Sequence, residues 1–312
     1  MVQFIEYPEA DRLLDWKELA AALQAGHRRP RAQIADQFLS RGKDTILSRA
    51  AVIDGIGVAV KTATLFPGNV GEGLPSINGA MVLFADRTGM IEALIDFHLV
   101  TKWKTAADSI LAAGLLARSD SRRILIVGAG TVARSLLDAY SAMFPAAEFR
   151  IWNRTRSNAD RLVSELAGQY AVDVVADLAD AVAEADIVAC ATMSPVPVIC
   201  GDWLAPGTHL DLIGAYRPDL READDTALRR SRIFVDSRDT TIDHIGELAQ
   251  PIARKVITAD DIVADFYDLP AGSFTRHSDD EITLFKNGGG AHLDLMTARY
   301  ILDKWSQHRP AG

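Results

Sequence analysis

Only two cysteines, Cys190 and Cys200, occur in 312 residues. They form neither a ligand-spaced cluster nor a disulfide framework, which excludes zinc-ribbon and disulfide-scaffold folds and leads us to expect a reducing compartment. The seven histidines show no metal spacing, and no Gly-x-Ser-x-Gly turn is present to raise a serine nucleophile. Metal catalysis and acyl transfer are therefore not expected. Long apolar runs are also missing, and Met1-Val2-Gln3-Phe4-Ile5-Glu6 lacks a basic stretch leading into one. A soluble cytoplasmic protein is expected. Basic excess is absent: a net charge of −9 argues against nucleic acid or an anionic membrane as the main partner. No repeats or low-complexity tracts occur.

What the chain has is apolar content, 48% of its residues, enough for a large core and most simply for two domains. From residue 121 strands and helices alternate: Arg123–Val127, a helix to about Met143, Phe149–Trp152, a helix over 157–168, Val172–Ala176, a helix over 178–185, Asp186–Ala191, Thr208–Ile213 and Arg232–Val235. Alternation of this kind specifies a parallel sheet covered by helices on both faces, an α/β doubly wound fold of Rossmann type. The nearly unbroken apolar tract Asp186–Thr192 suits a strand buried on both sides, with Cys190 packing as a small apolar residue.

Residues 1–120 differ. A helical stretch near 10–26 precedes strands punctuated by Pro67-Gly68-Asn69, Gly71, Gly73 and Asp86-Arg87-Thr88-Gly89, and Val58–Leu65 has a period of two. A second, strand-rich α+β domain is expected there. A long helix from about His98 to Ala117 leads out of it. A last helix, Ala291–Trp305, carries Leu293, Met296, Tyr300 and Leu302 and follows Gly288-Gly289-Gly290. It is expected to pack on the first domain, giving one domain from 1–118 plus 284–312 and another from 119–283.

The most informative string is Ile124-Leu125-Ile126-Val127-Gly128-Ala129-Gly130-Thr131-Val132-Ala133. Gly128 permits a tight turn, Gly130 lets backbone approach a pyrophosphate, Ala133 lets helix lie close to strand, and the helix start at Thr131 offers free N–H groups. The ribose-reading position at the end of the next strand is occupied by Asn153-Arg154-Thr155-Arg156, which contains no acid. An acid there repels a 2′-phosphate, whereas Arg154 and Arg156 can hold one, so NADP(H) is expected over NAD(H). Solvated loop arginines are the alternative. Ala191, Thr192 and Met193 close an adjacent strand and should face the cofactor, since ligands lie beyond the carboxyl ends of strands.

Lys61 stands among Val58, Val60, Ala63 and Leu65, where an ammonium costs desolvation unless an anion meets it. It is a candidate carboxylate ligand or proton donor; an edge-strand lysine reaching solvent is the competing account. Lys104 and Asp108 share a helix face in Thr101–Ser109, either as site residues or as a solvated ion pair. Arg31 is a candidate carboxylate clamp, or a solvated charge near a helix end.

Together these pieces resemble the ornithine cyclodeaminase/mu-crystallin family over nearly the whole chain. The shared strings are Val60-Lys61-Thr62, Phe66-Pro67-Gly68-Asn69, Gly73-Leu74-Pro75, Thr88-Gly89, Thr101-x-x-Lys-Thr-Ala-Ala-x-Ser109, Val127–Gly130, Ile151–Thr155, Ile213-Gly214-Ala215, Arg217–Glu222 and Phe285-Lys286. The resemblance implies a nicotinamide-binding domain and a substrate and dimerisation domain built from both chain ends, hence a homodimer. It implies that Lys61 binds the substrate carboxylate or acts as acid, with Arg31 on the carboxylate, and that Thr105, Ile213 and Gly214 join the cofactor site. Two departures stand out. Lys104 replaces the family's arginine and loses its planar hold on a carboxylate, while Asp108 replaces a small or neutral residue. Tyr216 stands where cyclodeaminases carry the aspartate that receives the ornithine amine, and a phenol cannot take that role at neutral pH. The leading expectation is reduction of a small cyclic ketimine carboxylate, such as Δ1-pyrroline-2-carboxylate, to an L-imino acid such as proline. Ornithine cyclodeamination, L-alanine dehydrogenation and non-catalytic NADPH binding are the alternatives.

Overall fold

The computed structural model describes residues 2–308; Met1 and 309–312, assigned above to the first domain, lie outside the described residues. Two compact units are present, one of residues up to Lys104 together with those from Gly290 on, the other Thr105–Gly289.

In the first unit the elements run β1 (Gln3–Ile5), α1 (Tyr7–Ala10), α2 (Trp16–Gly26), β2 (Gln33–Arg41), β3 (Asp44–Ile53), β4 (Gly57–Leu65), β5 (Ile77–Phe84), β6 (Ile91–Asp96) and α3 (Phe97–Leu116), whose residues from Thr105 on belong to the second unit. The single helix expected near 10–26 is broken. A 3-10 turn over Asp11–Leu13 ends at Leu14, and Asp15 accepts from the Glu18 N–H at 3.0 Å to cap α2 afresh. The six-stranded sheet has the order β1-β6-β5-β4-β3-β2, antiparallel except for the β1–β6 pair. Strands β2 and β3, too polar to stand out in the sequence, form one long hairpin. β4 is interior, and alternate residues Ala59, Lys61 and Ala63 point to its buried face.

The second unit runs β7 (Arg123–Val127), α4 (Thr131–Met143), β8 (Glu148–Trp152), α5 (Arg156–Glu165), β9 (Val172–Val174), α6 (Leu178–Glu184), β10 (Ile187–Cys190), β11 (His209–Leu212), α7 (Asp225–Arg230), β12 (Ser231–Val235), α8 (Arg238–Thr241), α9 (Gly246–Ala253), β13 (Ile262–Ala264) and β14 (Ile282–Lys286). Its eight strands are all parallel, in the order β13-β12-β14-β11-β10-β7-β8-β9. The α/β doubly wound expectation is met. β14, wholly buried between β11 and β12, carries the chain past the boundary drawn at 283. Leu125, Val127, Val188, Cys190, Leu210, Leu212, Ile233, Val235 and Leu284 form the core on one face. The chain then returns to the first unit with α10 (Ala291–His308), which packs on α2, β3 and β4.

Candidate functional site

In the second unit, β7 ends at Gly128, whose N–H donates to the Trp152 carbonyl at 2.8 Å. Its φ is +123°, and a Cβ there would stand 2.7 Å from the Ala191 carbonyl oxygen, so only glycine lets the turn lie this close to the end of β10. Gly130 is the N-cap of α4 and supplies no side-chain cap; around it is open space. The first N–H groups of a 13-residue helix are thus left without a side-chain acceptor. Ala129 and Val132 are partly buried, Thr131 is exposed, and Ala133 is buried under the helix. A glycine-lined turn, an uncapped helix start and an open approach fit a dinucleotide pyrophosphate.

Beyond β8, Arg154, Thr155 and Arg156 are exposed; Asn153 donates to the Thr155 carbonyl at 2.8 Å, and Arg156 lies 3.7 Å from Asp160. Thr192, Ile213 and Gly214 meet where β10 and β11 end, and a Cβ on Gly214 would fall 1.6 Å from the Thr192 carbonyl oxygen. Met193 is 70% exposed at the same rim. Thr105 sits on α3, its carbonyl accepting from Asn287 at 3.0 Å.

These strand ends are braced by a residue with no role in the sequence reading, although it closes the string Arg217–Glu222. One oxygen of Glu222 accepts from the Thr192 N–H and hydroxyl at 2.6 and 2.9 Å; the other accepts from the Gly214 and Ala215 N–H groups at 2.6 and 3.2 Å. Glu247 in turn accepts from the Glu222 and Ala223 N–H groups at 2.7 and 3.0 Å. Burial pushes Glu222 up to about 7, with Lys286 opposing and Glu247 adding to the rise. Lys286, fully buried, donates to the Leu212 carbonyl at 2.7 Å.

In the first unit, Lys61 is 5% exposed on an interior strand, which removes the account of an edge-strand lysine reaching solvent. Its Nζ donates to Asp294 Oδ1 at 2.8 Å and lies 4.7 Å from the Phe97 ring centroid. Burial brings the Lys61 ammonium down to about 8; Lys104 and Arg49 push the same way and Asp294 opposes them. Asp294, in the first turn of α10, is held below the usual carboxylate range: burial works against ionisation, but Lys61, Lys104 and Arg49 outweigh it, and the helix start favours the anion. Arg49 stands directly opposite Lys61 across β3 and β4, with Nη1 4.0 Å from Asp294 Oδ2 and Nη2 2.6 Å from Asp36. Lys61, Lys104 and Arg49 thus all bear on the buried carboxylate of Asp294, with Asp36 on the far side of the Arg49 guanidinium. Burying an ion costs several kcal/mol unless it is paired, and cations gathered round one carboxylate are a setting in which a further anion can be held.

The structure therefore groups Lys61 with Lys104. Lys104 and Asp108 are 8% and 0% exposed, which overturns the solvated-pair alternative. Arg31 is exposed ahead of β2, and the arginine beside Lys61 is Arg49. Asp294, 233 residues from Lys61, was not anticipated; its one sequence signal is a carboxylate amid the apolar residues of the last helix. Among the described residues no His, Cys, Asp and Glu are grouped to hold a metal, and no helix is long and apolar enough to cross a membrane.

Residues 45–309 match the model of the ornithine cyclodeaminase/mu-crystallin family. A Δ1-pyrroline-2-carboxylate reductase of Paracoccus denitrificans is 52% identical over 302 residues, 96% of each chain. Ketimine reductase mu-crystallin of Mus musculus is 33% identical over 249 residues, 80% of this chain and 76% of that one. Among solved structures, the Thermococcus litoralis Δ1-pyrroline-2-carboxylate reductase, in complex with NADH and L-proline, superposes with a TM-score of 0.90 at 28% identity, covering 98% of both chains.

Proposed function

The chain belongs to the ornithine cyclodeaminase/mu-crystallin family, and we propose that it is an NAD(P)H-dependent reductase of small cyclic ketimine carboxylates, converting Δ1-pyrroline-2-carboxylate to L-proline. The observation that carries this reading is the gathering of Lys61, Lys104 and Arg49 around the buried Asp294, with an acidified ammonium at its centre.

A pyridine nucleotide fits the glycine turn and uncapped helix start of the second unit, with Gly128–Val132, Asn153–Arg156, Ala191–Met193, Ile213, Gly214 and Thr105 as the residues to hold it. When bound in reduced form it supplies the two-electron reducing equivalent for the C=N bond. The chain's own residues do the rest. Lys104 and Lys61 attract the substrate carboxylate. Lys61, brought to about 8 by burial, is still protonated near neutrality yet a stronger acid than a free lysine, and it gives its proton to the ring nitrogen as that atom gains charge. Asp294 holds Nζ in place and recovers the ion pair when Lys61 is reprotonated. Reduction at the C=N carbon and protonation at nitrogen together give the amine.

NADP(H) is the favoured nucleotide, supported by two exposed arginines and no acid after β8. A homodimer is supported by the edge strand β2, exposed along its length with Ile34, Phe38 and Leu39 on it; sedimentation of wild type against Phe38→Glu tests it. Cytoplasmic residence is supported by two unpaired thiols, Cys190 buried and Cys200 partly so, and cell fractionation checks it. Tyr216, 51% exposed after the β11 end, speaks against ornithine cyclodeamination. Purified protein mixed with NADPH or NADH and Δ1-pyrroline-2-carboxylate should oxidise the nucleotide. Ammonia release from ornithine, NADH formation from alanine, or tight NADPH binding without turnover would replace the reading.

A further inference from the structure

One buried carboxylate joins the two strand ends at the rim of the parallel sheet. Glu222, 0% exposed, takes all four of its side-chain contacts from donors there: the N–H and hydroxyl of Thr192 after β10, and the N–H groups of Gly214 and Ala215 after β11. Both oxygens must therefore accept, which suits the carboxylate, and the charge of Lys286 favours that form against burial. The residue is itself immobilised. Its N–H donates to Glu247 at 2.7 Å, and its carbonyl accepts from the Val198 and Ile199 N–H groups at 2.8 and 2.9 Å. A side chain whose own backbone is held on both sides can fix the spacing of what it grips.

Strand order indicates which part of a nucleotide meets this clamp. The glycine turn suited to a pyrophosphate follows β7, which has β8 on one side and β10, then β11, on the other. The string at the ribose-reading position, Asn153–Arg156, follows β8, so the adenosine half runs that way. The ends of β10 and β11 are left for the other half, one and two strand spacings, about 5 and 10 Å, from the turn. We infer that Glu222 is a positioning residue for the nicotinamide half of the nucleotide: by tying Thr192 to Gly214 and Ala215 it fixes the surface that holds the ring and so the aim of its reducing carbon. The effect on affinity rests on nucleotide binding alone, and the effect on turnover rests on the reductase reading. Glutamine, though equal in length, is a poor replacement, because its amide sets N–H against the N–H groups of one strand end. Aspartate keeps both acceptors and is one methylene short of spanning the two ends.

Calorimetry on the full chain compares NADPH with 2′-phospho-ADP-ribose, the same ligand without its nicotinamide; NADH and ADP-ribose take their place if they bind more tightly. In Glu222→Gln and Glu222→Asp, affinity for the fragment should stay within about twofold of wild type while affinity for the whole nucleotide falls about tenfold. With Δ1-pyrroline-2-carboxylate at saturating nucleotide, kcat should fall about 10²-fold and KM for the ketimine change only a few-fold, the pattern of a misplaced reacting atom. A merely structural role would weaken fragment and whole nucleotide alike. That result, or unchanged affinity for both, would overturn the inference. If binding responds as stated and no ketimine is turned over, the reductase reading fails and the positioning role stands. Melting curves report whether each variant folds; if neither does, Glu247→Gln, which loosens the backbone of Glu222 without touching its contacts, decides by the same comparison with a shift of about threefold.

Discussion

Two clusters of buried charge, one in each unit, are built in opposite ways. Glu222 and Glu247 in the second unit accept six hydrogen bonds between them, five from the backbone N–H groups of Thr192, Gly214, Ala215, Glu222 and Ala223 and one from the Thr192 hydroxyl. Lys61, Lys104 and Arg49 in the first unit crowd one buried carboxylate, Asp294, and in that cluster Arg49 Nε and Asp294 Oδ2 have no hydrogen-bond partner. A satisfied carboxylate is a brace: it fixes the strand ends and needs nothing further. An unbalanced cation cluster is a receptor, whose energy is recovered only when an anion arrives.

Removing the centre of the receptor should have the largest effect. Lys61→Ala is expected to lower kcat/KM by about 10²- to 10⁴-fold, the range of lost general acid catalysis, while nucleotide affinity measured by fluorescence titration stays as in wild type. If affinity for nucleotide falls with it, the separation of roles breaks down. Breaking the brace should act differently. Glu222→Ala leaves backbone N–H groups buried and unpaired, so unfolding by denaturant should report a loss of about 2–3 kcal/mol, accompanied by weaker nucleotide binding. A variant as stable as wild type would show the brace to be idle.

Smaller effects sharpen the contrast. Because the Lys61 ammonium is the acid and burial sets it at about 8, kcat/KM should be level below that pH and fall about tenfold per unit above it. The sign is that of an acid lost on deprotonation; activity rising through pH 8 would mean that Lys61 acts as a base. Replacing Arg154 and Arg156 together by alanine should cost NADPH about tenfold in Kd and leave NADH nearly unaffected, as loss of exposed charge-assisted contacts predicts.

The second unit was legible because its fold writes itself locally. Continuous apolar strands such as Ile187–Cys190 and the turn at Gly128 follow from neighbouring residues. β14 escaped notice because its pairing with β11 and β12 joins segments far apart, and five residues give no period to read. In the first unit Lys61 announced itself as a charge in an apolar strand, but its partners could not. Arg49 reaches it by strand register and Asp294 by the return of the last helix, relations that exist only once the sheet is built. Arg31 drew attention through its basic neighbours, and the fold instead set Arg49 beside the lysine.

The most direct measurement is a crystal structure of the chain with oxidised nucleotide and L-proline. The account predicts the proline carboxylate among Arg49, Lys61 and Lys104, with its nitrogen beside the Lys61 Nζ that Asp294 holds. A carboxylate bound elsewhere, with these four side chains in contact only with one another, would contradict it.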